Sequence, residues 1–83
     1  MPANPVLSKH LLELLRDLDG NSLAEDTLMS ELEIRYGRPL TTQEARRTIV
    51  HAVDHNWARS RRDDFDQTRY WLTDKGRNQL EAM

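Results

Sequence analysis

Apolar positions recur at helical spacing in three stretches of the chain, then give way to an aromatic-rich, strand-like pattern. Leu11, Leu12, Leu14, Leu15 and Leu18 form the first stripe, with Lys9, Glu13, Arg16 and Asp17 on the other side. Ser8 suits an N-cap and Asp19-Gly20 a left-handed stop, which predicts a helix over 8–19. Residues 1–7 hold two prolines and are expected to be an extended lead-in to a single domain over 8–83. The second helix is expected from Ala24 to Tyr36, ended by Gly37 and Pro39, with Ser22 and Glu25 as a possible capping box. Its stripe is Leu28, Leu32 and Tyr36, with Met29 at the flank. Ile34 falls off that stripe, so either the helix is contacted on two sides or it distorts near its end. Leu23 stands alone before it, in a possible short strand.

Thr41-Thr42-Gln43-Glu44 is the clearest start signal, a capping box opening a helix over 42–56. At about 100° per residue, Ala45, Ile49, Ala52, Val53 and Asn56 share one face, opposite Gln43, Arg47, Val50, His51 and Asp54. Residues 57–61 and 68–72 read as two strands of a hairpin, because aromatic residues favour strands. Polar residues 62–67 connect them. Thr73 caps a last helix over 74–82, in which Gly76 lowers helix propensity. The expected class is mainly α with a small β-hairpin, its core drawn from Leu11, Leu15, Leu18, Leu28, Leu32, Ile49, Val53, Leu72 and Leu80.

This order resembles a winged helix-turn-helix domain over about residues 8 to 82. His55-Asn56-Trp57 stands where many winged helices turn from the third helix into the wing, often through Gly. Asn tolerates the same positive φ. Tyr70-Trp71-Leu72-Thr73-Asp74-Lys75-Gly76, followed by Leu80, is similar to the aromatic-x-Leu-Thr-x-x-Gly-x-x-x-Leu wing ending of MarR- and PadR-type regulators. The resemblance implies a small transcriptional regulator that places helix 42–56 in the major groove of double-stranded DNA, with wing 57–72 against the backbone. Gln43, Arg46, Arg47 and His51 are then candidate base-reading residues, since Gln suits adenine and Arg suits guanine. Arg59, Arg61, Arg62 and Arg69 are candidate phosphate contacts.

Charge follows that division. The chain carries 12 basic and 14 acidic residues, a net charge of -2 over 83 residues. Residues 1–45 hold 4 basic and 8 acidic residues, whereas 46–62 hold 5 basic residues against Asp54 alone. The acidic wing tip, Asp63-Asp64-Phe65-Asp66, opposes phosphate. Phe65 has no intramolecular purpose legible in the sequence and is a candidate partner contact. These features support an alternative, a protein–protein interaction module that keeps the scaffold without binding DNA.

Other chemistry finds little support. The chain has no cysteine, so disulfides and thiolate metal sites are excluded. His51 and His55 are one turn apart, but no third ligand follows at a motif spacing, so no metal and no cofactor are expected. Asp63 to Asp66 fails the calcium-loop pattern. No nucleophile–base pair or phosphate-binding glycine loop is present, which argues against an enzyme. The absence of a long apolar run predicts no membrane span and a cytoplasmic location. Leu12, near the edge of its stripe, raises the expectation of a homodimer through helix 1.

Overall fold

The computed structural model describes residues 4–18 and 21–83. The expected stop at Asp19-Gly20 and the first three residues of the lead-in lie outside the described residues. In chain order the elements are α1 (Pro5–Asp17), β1 (Leu23–Ala24), α2 (Glu25–Tyr36), α3 (Thr42–Asp54), β2 (Ala58–Arg62), β3 (Thr68–Leu72) and α4 (Asp74–Ala82).

The first helix starts earlier than its leucine stripe suggests. Asn4 is the N-cap; its side chain accepts from the amides of Val6 and Leu7, and Pro5 occupies the first turn, where a missing N–H costs nothing. Residues 5–7 are therefore helical rather than extended, and Ser8 lies buried inside α1 rather than capping it. Leu7 joins Leu11, Leu14 and Leu15 in the core. Leu12 is fully buried as well, because α1 packs against α2, α3, β3 and α4. The apolar surface on which self-association was expected is covered.

The sheet has three strands rather than two, in the order β1-β3-β2 and antiparallel throughout. Leu23 lies opposite Tyr70 and Ala24 opposite Arg69, so the isolated leucine belongs to an edge strand laid along the free side of β3. Ser22 makes no capping box with Glu25. Ala24 is the N-cap of α2 with no side-chain cap bond, and Ser22 Oγ accepts from Arg69 Nε at 2.9 Å. Gly37 ends α2 at φ 74, in the left-handed region. Leu28 and Leu32 are buried, while Ile34 is 71% exposed, so α2 is regular and contacted from one side only.

Thr41 caps α3, accepting from the Glu44 amide at 3.1 Å, but only this half of the expected capping box forms, since the Glu44 side chain does not accept from the Thr41 amide. The helix ends at Asp54, two residues earlier than expected, with His55 as C-cap. Its buried face is Ala45, Thr48, Ile49 and Ala52, and Val53 is half-buried. The stripe is turned slightly from the expected one, admitting Thr48. That hydroxyl is satisfied inside the core by donating to the Glu44 carbonyl at 2.9 Å.

Asn56 takes φ 61 and turns the chain into the hairpin. Ala58 lies opposite Leu72 and Ser60 opposite Tyr70, while Arg59 lies opposite Trp71 and Arg61 opposite Arg69. Side chains alternate across a strand. Ala58, Tyr70 and Leu72 therefore face the core with Leu23, and Arg59, Arg61, Arg69 and Trp71 share the outer face.

The start of α4 is locked to the turn before β2. Thr73 donates its backbone N–H to the Trp57 carbonyl at 3.0 Å and its hydroxyl to the Asn56 carbonyl. The same hydroxyl accepts from the Gly76 amide at 3.0 Å. Gly76 is buried; a Cβ built on it would collide with the Trp57 carbonyl oxygen and lie 2.7 Å from Leu72 Cδ1. The glycine that weakens α4 by propensity is what lets α4 approach this closely. Among the described residues no helix is long and apolar enough to cross a membrane.

Candidate nucleic-acid interface

The third helix exposes one row of side chains. Gln43, Arg47, Val50 and Asp54 follow one another at helical spacing opposite the buried Ala45–Ile49–Ala52 face, and all four are exposed. A shallow groove over the first half of this row is lined by Thr42, Gln43, Arg46, Arg47 and Val50.

Arg46 leans away from the row toward the start of α2, where its Nε lies 3.5 Å from Glu25 Oε1. Tyr70 sits close to both charges. Its hydroxyl is pushed above its ordinary value of 10.0, first by burial and then by the Glu25 carboxylate, with Arg46 opposing. This cluster joins the beginnings of α2 and α3 to the inner face of the wing.

His51 is not brought to the same place as Gln43 and Arg47. Its ring lies 4.3 Å from that of His55 and 5.4 Å from that of Trp57, and His55 stacks on Trp57 at 4.9 Å. The three rings close the C-terminal end of α3 over the turn into β2. Among the described residues, no group of three or more His, Cys, Asp or Glu side chains is arranged to hold a metal ion.

The four hairpin arginines divide into two kinds. Arg69 is committed internally: Nε and Nη2 donate to the Ser22 hydroxyl and carbonyl at 2.9 and 3.0 Å, and Nη1 lies 3.6 Å from Asp63 Oδ2. Arg62 pairs with Asp66 at 2.8 Å, the cross-hairpin pairing that its spacing suggests. Arg59 and Arg61, like Arg47, have no carboxylate within 4.0 Å among the described residues. Arg61 and Arg69 are directly opposed, an unfavourable like-charge pairing. It is relieved by turning Arg69 toward Ser22 and Asp63.

The same pairs alter the meaning of the acidic tip. Asp63 is a turn-forming residue whose Oδ1 accepts from the Phe65 and Gln67 amides at 2.9 and 3.0 Å. Those amides, the Gln67 one foremost, hold its carboxyl below the ordinary 3.8, with Arg69 assisting and burial opposing. With Asp66 on Arg62, two of the three tip carboxylates are compensated by neighbouring arginines. Phe65 projects from this fixed turn, 84% exposed. Sequence reasoning found the arginines and the Arg62–Asp66 pair but missed the commitment of Arg69, because Ser22 meets it only through the β1–β3 register and Asp63 only through the β2–β3 hairpin.

The architecture is a winged helix: three helices, a hairpin wing completed by a short third strand, and a final helix. No family model matches the chain, and no curated protein matches it by sequence. Two solved structures share its fold. One is F93 from STIV, described as a winged-helix DNA-binding protein, with a TM-score of 0.81 and 20% identity over 98% of this chain and 86% of that one. The other is RosR of H. salinarum, with a TM-score of 0.79 and 18% identity over 95% of this chain and 69% of that one. At these identities the similarity is one of fold.

Proposed function

We propose that this protein binds double-stranded DNA as a small transcriptional regulator, with α3 in the major groove and the wing against the backbone. The observation that carries this reading is the row Gln43–Arg47–Val50, uncommitted to any intramolecular ion pair and set beside a wing whose Arg59 and Arg61 are also unpaired. The first half of a recognition helix is the part that reaches base edges. Here the outward row of that half carries Gln43 and Arg47, with Glu44 off the row in the first turn and Asp54 at the far end of the helix. Arg47 is the principal base-reading residue, bidentate to a guanine, with Gln43 one turn before it. Arg59 and Arg61 neutralise phosphates. Arg46 and Arg62 contribute only where a phosphate displaces Glu25 or Asp66. Arg69 and His51 act on structure, through Ser22 and Trp57, more than on DNA.

The DNA-binding description of F93 and the MarR/PadR-like wing ending, Tyr70 to Leu80, support the same use of the fold. A single winged domain covers little DNA, so specific binding calls for a second copy on an adjacent half-site. With Leu12 buried, the proposed contact between copies uses a surface other than the α1 leucines.

Binding to a pool of random duplexes, titrated with salt, tests the reading. Affinity that falls steeply with salt is expected, with a slope reduced by about one unit in Arg61→Ala. No retention of any duplex at low salt would overturn it. In that case the exposed Phe65, on a tip fixed by Asp63, favours the second reading, a module that docks on another protein. Phe65→Ala then abolishes a protein contact, while Arg47→Ala changes nothing.

A further inference from the structure

Val50 is out of place for a solvent-facing helical residue. Among the described residues, the exposed large apolar side chains are Val6, Ile34, Val50, Phe65 and Met83, and of these only Val50 lies on α3, at 50% exposure. A β-branched side chain lowers helix stability at an exposed site, and Val can neither donate to nor accept from a phosphate or a base edge. Yet it stands in the row Gln43–Arg47–Val50, on the wall of the groove lined by Thr42, Gln43, Arg46 and Arg47. Its neighbours are therefore the side chains best suited to polar base reading.

We infer that Val50 is a specificity-determining residue that packs on the 5-methyl group of a thymine next to the base pair read by Arg47. The inference rests on the DNA-binding reading above and adds a base identity to it. The thymine methyl is the apolar feature of the major-groove edge, and an apolar side chain is its natural complement. Arg47 and Val50 are three residues apart, about 4.5 Å along the helix axis. Successive base pairs are about 3.4 Å apart, so a helix lying inclined in the groove sets the two residues over neighbouring pairs. The unpaired Arg47 on one side and the positive wing on the other make duplex DNA the occupant whose charge complements this face.

Replacing thymine by deoxyuridine removes the methyl and leaves every hydrogen-bonding group intact, so it isolates this contact. A preferred duplex is first selected with the wild-type protein, and each thymine in it is then replaced singly by deoxyuridine. Wild type is expected to lose about fourfold in affinity at one thymine, the worth of one buried carbon group. Val50→Ala is expected to bind the thymine duplex about as weakly as wild type binds the deoxyuridine one, and to be indifferent to the replacement. The substitution is exposed and favours helix, and an unchanged circular dichroism spectrum checks that the fold is kept. If no thymine is sensitive, or if wild type and Val50→Ala lose equally at the sensitive one, the inference is overturned while the DNA-binding reading stands. If no duplex is retained at low salt, the DNA-binding reading itself fails and the inference falls with it.

Discussion

Gly76→Ala tests the packing of α4 with a change whose sign the structure reverses. In an exposed helix interior, alanine in place of glycine stabilises by about 1 kcal/mol. At position 76 the new methyl would collide with the Trp57 carbonyl oxygen and crowd Leu72 Cδ1, at 2.7 Å. Backbone cannot rotate out of the way as a side-chain end can, so α4 must move off the hairpin. That movement strains the Thr73–Trp57 and Thr73–Asn56 hydrogen bonds, each worth about 1 kcal/mol. Overpacking adds about 1–3 kcal/mol. Set against the propensity gain, the net expectation is a loss of about 2 kcal/mol, measured as a lower urea midpoint at unchanged m-value. Asn78→Ala, on the exposed side of α4, serves as the control and should be neutral or slightly stabilising. Equal or greater stability in Gly76→Ala would refute the close approach of α4 to the Trp57 backbone.

Ile49→Ala, at a site only 2% exposed, should cost about 2–5 kcal/mol in urea unfolding, and a cost near zero would overturn the orientation of α3. Asn56→Ala should lose about 1 kcal/mol, because its φ of 61 suits Asn or Gly, whereas Asn56→Gly should change thermal stability little. At the wing tip, Asp63 has a lowered folded-state pKa, so its contribution to order is complete above its ordinary 3.8 and is lost as pH falls through the folded value. Hydrogen exchange at the Phe65 and Gln67 amides should show that loss in wild type and not in Asp63→Asn; protection independent of pH in wild type would contradict it.

The helices were legible because their stripes are long and their caps local. Thr41 announces α3 three residues before it needs Glu44, and the periodicity of Leu28 and Leu32 survives in the fold. Positions decided by another element were not legible. Pro5 to Leu7 look extended until Asn4 is seen to cap them and Leu7 to enter the core. Leu12 looks spare until α1 is seen to pack on four elements. Gly76 looks like a weakness until the Trp57 carbonyl is found beneath it. The same holds at the candidate site. Outward orientation of Gln43 and Arg47 follows from the α3 stripe, but which arginines are spent is tertiary information. Arg69 is taken by Ser22 and Asp63, and Arg46 by Glu25. Val50 was visible on the outward face, yet its significance emerged only beside an unpaired Arg47 in a common groove.

The most direct measurement is an amide chemical-shift map of the protein titrated with a short duplex at low salt. The account predicts the largest changes along Gln43, Arg47 and Val50 of α3 and at Arg59 and Arg61 of the wing. Smaller changes are expected at the Glu25–Arg46 junction and none in the body of α1. Changes confined to the tip around Phe65, or an absence of changes at any duplex concentration, would contradict it.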